Sequence, residues 1–177
     1  MELSQFIINR LILFSRSDEK DVSATLAFRN LAGIFFDALL EKFGKSIITG
    51  GFIAGSVACG KATQNSDIDG RIIFLPSDPL DDTTAVEKLR ERIRQYMSDL
   101  FKFTMEHYST NFFPRSCDFM INIFTLEETL SCGCLTYGPK LVDIWTVSLS
   151  QRPPESYDYM DEYDVHQLRH TKPQSGK

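Results

Sequence analysis

Long hydrophobic runs are missing from this chain: no stretch of eighteen consecutive apolar residues occurs, which excludes a helical membrane span. Paired cysteine motifs are missing too. The cysteines at 59, 117, 132 and 134 form no CxxC pair, and Cys132-Gly-Cys134 alone lacks the partners of a zinc site. All four lie in or beside apolar segments, so buried, reduced thiols and a cytoplasmic location are expected. Positive charge is short: a net charge of −5 argues against a broad nucleic-acid footprint. The opening MELSQFIINRLILF lacks the basic n-region and small-residue cleavage site of a signal peptide. Leu3, Phe6, Ile7, Leu11 and Phe14 instead fall at helical spacing and predict a packed amphipathic helix. No internal repeat is found.

What is present suits one domain with a sizeable core, given 177 residues of which 42% are hydrophobic. After a polar loop at Ser15–Asp21, a second helix is expected from Ser23 or Thr25 to Phe43. Its apolar stripe is Phe28, Leu31, Phe35, Leu39 and Phe43, widened by Ala32, Phe36 and Leu40, which suggests that it lies across the back of a sheet. Gly44 stands at a left-handed C-terminal cap position. Ser46–Ala54 reads as a strand in which Gly50 and Gly51 signal a bulge or a close backbone approach. Arg71–Leu75 is a second strand. Thr84 is expected to cap a long helix over Ala85–His107, with Val86, Leu89, Ile93, Met97, Leu100 and Phe101 inward. The interleaved Glu87, Lys88, Arg90, Glu91, Arg92 and Arg94 read as its solvated face. Ser116–Phe124 is expected as a third strand, Leu126–Ser131 as a short helix, and Gly133–Tyr137 with Leu141–Leu149 as further strand or helix material. Residues 1–151 form the expected domain; 152–177, rich in Pro, Tyr and acids, read as a polar, mobile tail.

The stretch Gly50–Leu75, GGFIAGSVACGKATQNSDIDGRIIFL, carries the chemistry. Gly55-x4-Gly60-Lys61 copies most of a phosphate-binding P-loop, but Ala62 stands where a hydroxyl must reach magnesium, and the segment leads into a strand rather than a helix. Asn65-x-Asp67-x-Asp69-Gly70 copies half of a calcium loop, but its twelfth position is Pro76 instead of a bidentate Glu. A plain turn of Asp bounded by Asn and Gly is the bland alternative. A two-metal site is the third chemical reading. Alternation along a strand puts Asp67 and Asp69 on one face, about 6–7 Å apart. Carboxylates so close repel unless a divalent cation lies between them. Asp118, at the start of an apolar segment, is the candidate third ligand and the group best placed to help deprotonate an attacking hydroxyl.

Gly55-Ser-Val-Ala-Cys-Gly-Lys-Ala-Thr-Gln-Asn-Ser-Asp-Ile-Asp69 resembles the signature of the polymerase-β-like nucleotidyltransferase superfamily, minimal type, which reads roughly GSRARGxAxxxSDID. Gly55, Ser56, Ala58, Gly60, Ala62, Ser66, Asp67, Ile68 and Asp69 match, and the resemblance spans about Ile47–Phe124. It implies an α+β fold, a small mixed β-sheet backed by helices and preceded here by two N-terminal helices. It also implies two Mg2+ ions on Asp67, Asp69 and Asp118, which are the catalytic and metal residues. Gly55, Ser56, Lys61 and Ser66 are the implied nucleotide-binding residues. Val57 and Cys59 replace two arginines of the pattern, removing positive charge near the phosphates, and Gly70 replaces an apolar residue.

The resemblance implies transfer of a nucleoside monophosphate from a nucleoside triphosphate, ATP by default, to a hydroxyl of a protein or small molecule. Pyrophosphate is the second product. A cationic acceptor would suit the acidic surface. No large C-terminal helical domain is visible, so a partner chain, a second copy, residues beyond this sequence or the two N-terminal helices would grip the base or acceptor. The alternatives are a non-catalytic nucleotide-binding module of the same fold, or an enzyme that tails nucleic-acid ends. His107, His166 and His170 have no motif around them.

Overall fold

Capping chemistry and apolar spacing set the first two helices. Ser4 accepts from the Ile7 amide through its side chain and starts α1, Gln5–Ser15. Ser23 does the same for the Leu26 amide and starts α2, Ala24–Phe43. The computed structural model describes residues 1–16, 22–53, 55–76, 83–110, 113–125, 127–128, 141–146 and 159–160. Gly44 ends α2 with φ of +82°, but its ψ of 159° lies outside the left-handed helical well expected for the cap; its N–H still returns to the Leu40 carbonyl.

Every residue of α2 from Leu31 to Leu39 is buried, which is more than two turns and therefore the whole circumference. One side meets α1, where Ile7, Leu11 and Phe14 are buried and Arg10 pairs with Asp37. Burial pushes the Asp37 carboxyl up, with Arg10 pulling the other way. Phe6 does not join this contact. It is 54% exposed, with the Arg10 guanidinium over its ring, because the helix turns its other side to α2.

Another side of α2 meets α4, Thr83–Tyr108, through an edge-to-face Phe35–Phe101 pair at 6.4 Å and a Phe43–Tyr96 pair at 5.7 Å. The Tyr96 hydroxyl donates to the Ala38 carbonyl at 3.2 Å, and its pKa is pushed up to about 12, by burial first and by Glu41 second. Val86, Ile93, Met97 and Leu100 are buried as their spacing predicts. Two expectations for α4 need correction. The helix starts at Thr83, so Thr84 lies inside its first turn. Arg90 is buried rather than solvated: it donates to the Ile123 carbonyl at 2.5 Å and forks onto Glu128 at 3.1 and 2.7 Å.

The third side of α2 meets the sheet. Strands β1 (Ile48–Ile53), β2 (Gly70–Phe74) and β3 (Ile123–Thr125) form a small mixed sheet, β1 antiparallel to β2 and β2 parallel to β3. Backbone pairing adds β4 (Leu141–Thr146) beyond β1 and β5 (Tyr159–Met160) beyond β4, giving the order β3-β2-β1-β4-β5. The fold is α+β. The strand expected over Ser116–Phe124 is instead a single bridge from Cys117 to Ile68, a 3₁₀ turn at Asp118–Met120, and then β3. The turn forms because the Asp118 carbonyl takes the amides of both Ile121 and Asn122, ending the extended run. Beyond β3, Thr125 and Glu128 bond each other's amides reciprocally, a capping box that begins the helix expected at Leu126–Ser131, most of which lies outside the described residues. Of the segment read as a tail, only Tyr159 and Met160 are described. Cys117 is buried, Cys59 is half-buried, both are free thiols, and Cys132 and Cys134 lie outside the described residues.

The glycines of β1 have the role expected of them. The register shifts between Ile48 and Gly50, a bulge. At Gly51 a Cβ would stand 2.3 Å from the Phe36 ring and 2.6 Å from the Arg71 carbonyl oxygen. The close approach of α2 to the sheet therefore requires glycine. Gly51→Ala is expected to cost about 1–3 kcal/mol of stability by overpacking. It should appear as a lower urea midpoint at constant m-value; an unchanged midpoint would mean that Phe36 and β2 yield freely.

Candidate metal centre

The chain leaves β1 at Ile53 and enters a single helical turn, α3, Gly55–Ala58. Its end is closed by a Schellman pattern: the Lys61 amide donates to the Ser56 carbonyl at 2.8 Å, the Gly60 amide to the Val57 carbonyl at 3.4 Å, and Gly60 takes φ of +71°. Gly55 also has positive φ, +66°, and a Cβ there would stand 2.0 Å from Asp69 Oδ2. Both the backbone angle and the space demand glycine, so this turn lies directly against the Asp69 carboxylate.

The next residues bring the carboxylates together. A turn at Thr63–Ser66 is held by the Ser66 amide on the Thr63 carbonyl at 3.0 Å and by the Thr63 amide on Ser66 Oγ at 2.9 Å. Residues 66–68 then run alongside 115–118: the Arg115 amide donates to Ser66, the Ile68 amide to Ser116 and the Asp118 amide to Ile68, at 3.2, 3.0 and 2.9 Å. Ile68 is fully buried, so the two residues flanking it turn the other way. One carboxylate oxygen from each of Asp67, Asp69 and Asp118 can be chosen so that all lie within 4.8 Å of one another. Ser116 Oγ donates to Asp118 Oδ1 at 3.2 Å and orients that carboxylate.

Electrostatics follow from this crowding. Burial raises the Asp69 pKa first, and the charges of Asp67 and Asp118 raise it further. The neighbouring Cys117 thiol is pushed well above its ordinary range by burial, then by Asp118 and Asp67, which makes it a poor nucleophile. Three half-buried carboxylates are hard oxygen donors of the kind that magnesium takes, and a divalent cation among them would relieve their repulsion.

The remaining site residues are placed as follows. Ser56 is half-buried next to Gly55, and Lys61 is exposed beside Gly60. The Ser66 hydroxyl is bound up with Thr63 in the turn that precedes Asp67. Val57 is fully buried, so the side chain at that position belongs to the core. Cys59 is half-buried. Residues that spacing alone did not reveal are Ser116, Thr25 and Arg29. The last two reach the Gly55 turn from α2: Arg29 Nε and Nη2 donate to the Val57 and Ala58 carbonyls at 3.1 and 3.0 Å, and the Ala62 amide donates to Thr25 Oγ1 at 3.2 Å. A polar pair at i, i+4 inside an apolar helix was their signal, but it names no partner. His107 stacks on Phe103 at 4.5 Å within α4. A separate groove of about 540 Å³ opens around the end of α2, lined by Phe43, Tyr96 and Phe103 with charges of both signs; no residue of the carboxylate site lines it.

Asp69 supplies a pH test. Its folded-state pKa lies above the ordinary 3.8, so ionising it disfavours the fold. That penalty is absent below pH 3.8 and grows as pH rises through the raised folded value. Asp69→Asn is therefore expected to raise the metal-free Tm at pH 7, with the gain shrinking toward zero below pH 3.8. Thermal scans across that range check it; a gain of constant size would exclude the carboxylate charge as its source.

No protein-family model, no curated protein and no solved structure matches the chain. Among the described residues no helix is long and apolar enough to cross a membrane.

Proposed function

We propose that the chain is a magnesium-dependent nucleotidyltransferase of the polymerase-β-like type, with the fold of that superfamily. It would move a nucleoside monophosphate from a nucleoside triphosphate, ATP by default, to a hydroxyl of a protein or small molecule. The observation that carries this reading is the convergence of Asp67, Asp69 and Asp118 within 4.8 Å, against a turn that only glycine can form.

Asp67, Asp69 and Asp118 would hold two Mg2+ ions, whose charge offsets that of the triphosphate oxygens and of the attacking hydroxyl. Gly55 presents bare backbone to the phosphates, and the Ser56 hydroxyl donates to them. Lys61, exposed at the far end of the same turn, draws the triphosphate in. Ser66 acts indirectly, fixing the turn from which Asp67 projects. Asp118, oriented by Ser116, accepts the proton of the acceptor hydroxyl. The hydroxyl oxygen then forms its bond to the α-phosphorus as the bond to the pyrophosphate oxygen breaks, and the electron pair leaves with pyrophosphate.

A thermal-shift screen of ATP, GTP, CTP and UTP with magnesium, followed by pyrophosphate release from labelled nucleotide, tests the reading. The expected result is magnesium-dependent stabilisation by one or more nucleotides, and turnover that Asp67→Ala lowers about 100-fold or more. Failure of all four nucleotides to turn over, with nucleotide binding unchanged in Asp67→Ala, would overturn it.

A further inference from the structure

Thr25 and Arg29 are polar side chains one turn apart on the most buried helix, at 7% and 9% exposure. A guanidinium taken out of water needs acceptors, and two of those serving Arg29 are the Val57 and Ala58 carbonyls, at the negative end of the one-turn helix α3. Such charge-assisted bonds are roughly twice as strong as neutral ones. Thr25 takes the Ala62 amide, four residues beyond Ala58. Its own amides on Gly55, Ser56 and Val57 give the turn its shape, but a single turn holds only weakly by itself. What the contacts with α2 add is location.

Location matters at the other end of the turn. Gly55 lies so close to Asp69 that there is no room for a methyl group between them. A drift of the turn by a fraction of an ångström would therefore move the Asp69 carboxylate or open a gap beside it. We propose that Arg29 and Thr25 are positioning residues: they clamp the Gly55–Ala62 turn to α2 and thereby hold Asp69 at the spacing from Asp67 and Asp118 that a divalent cation requires. The inference rests on the metal-binding part of the proposed function, not on turnover. Arg29 also brings a cation to the back of a turn whose positions 57 and 59 carry none.

The test compares wild type with Arg29→Met, Arg29→Lys and Thr25→Val by amide hydrogen exchange and by Mn2+ titration followed through electron paramagnetic resonance. Arg29→Met is expected to speed exchange of the Cys59–Ala62 amides about 10-fold or more while the Ile93–Leu100 amides of α4 keep their protection. It should also weaken Mn2+ binding about 5-fold or more, with Arg29→Lys recovering part of the loss. Unchanged turn exchange together with unchanged Mn2+ affinity in a folded Arg29→Met protein would overturn the inference. If Arg29→Met loses the α4 protection as well, Thr25→Val decides: faster exchange at Ala62 with weaker Mn2+ binding supports the clamp, and no change in either refutes it. Lack of nucleotide turnover by wild type would sink the transferase reading while both of these readouts still decide the clamp.

Discussion

Burial of α2 around its whole circumference is the constraint on which the other elements depend. Each of its fully buried Phe and Leu side chains removes apolar area worth about 1.5–3 kcal/mol from water. That gain exists only if α1, α4 and the sheet all close on the same helix. The need for three neighbours explains local choices that look odd alone. Gly51 interrupts a strand so that Phe36 can approach it, and Asp37 is tolerated in a buried run because Arg10 reaches it from α1. Arg29 is tolerated because the Gly55 turn offers it carbonyls.

The carboxylate site stands in tension with that core. Ile68 must be buried and paired with Cys117 for the sheet to continue, and this pairing forces Asp67 and Asp69 out on the same side as Asp118. Ionised Asp69 then works against the fold: burial raises its pKa first, and the charges of Asp67 and Asp118 raise it further. A chain selected for stability alone would have placed Asn or Ser at one of these positions. A divalent cation among the three carboxylates would relieve that cost; without one, packing elsewhere in the fold offsets it.

The helices were legible because apolar period and cap residues agreed. Ser23, the stripe from Phe28 to Leu39 and the glycine after Phe43 located α2 nearly to the residue. The pair Asp67 and Asp69 was legible for a similar reason, since alternation around Ile68 is a local rule. Where local rules failed, a contact distant in sequence had decided the outcome. Helical spacing placed Phe6 in the stripe of α1, but packing on α2 used the side that carries Ile7, Leu11 and Phe14. The extended run at Ser116–Phe124 was broken by two amides turning back onto the Asp118 carbonyl. Arg90 looked like one charge among many until Ile123 and Glu128, more than thirty residues away, supplied its acceptors.

The same distinction bears on the turn at Gly55. Val57 and Cys59 leave those two positions of the turn without positive charge. In space, Val57 is a core side chain, and an arginine there would have to bury its charge under α2 or tear the turn from the helix. The guanidinium instead comes from α2 itself and meets the backbone of that turn from behind. A cation so placed does not touch what the front of the turn would bind, but it offsets the negative end of α3 and fixes its position. Packing therefore sets the side chain at 57: with α2 this close, the buried side of the turn has room for Val57 and acceptors for Arg29, and the positive charge sits on the helix.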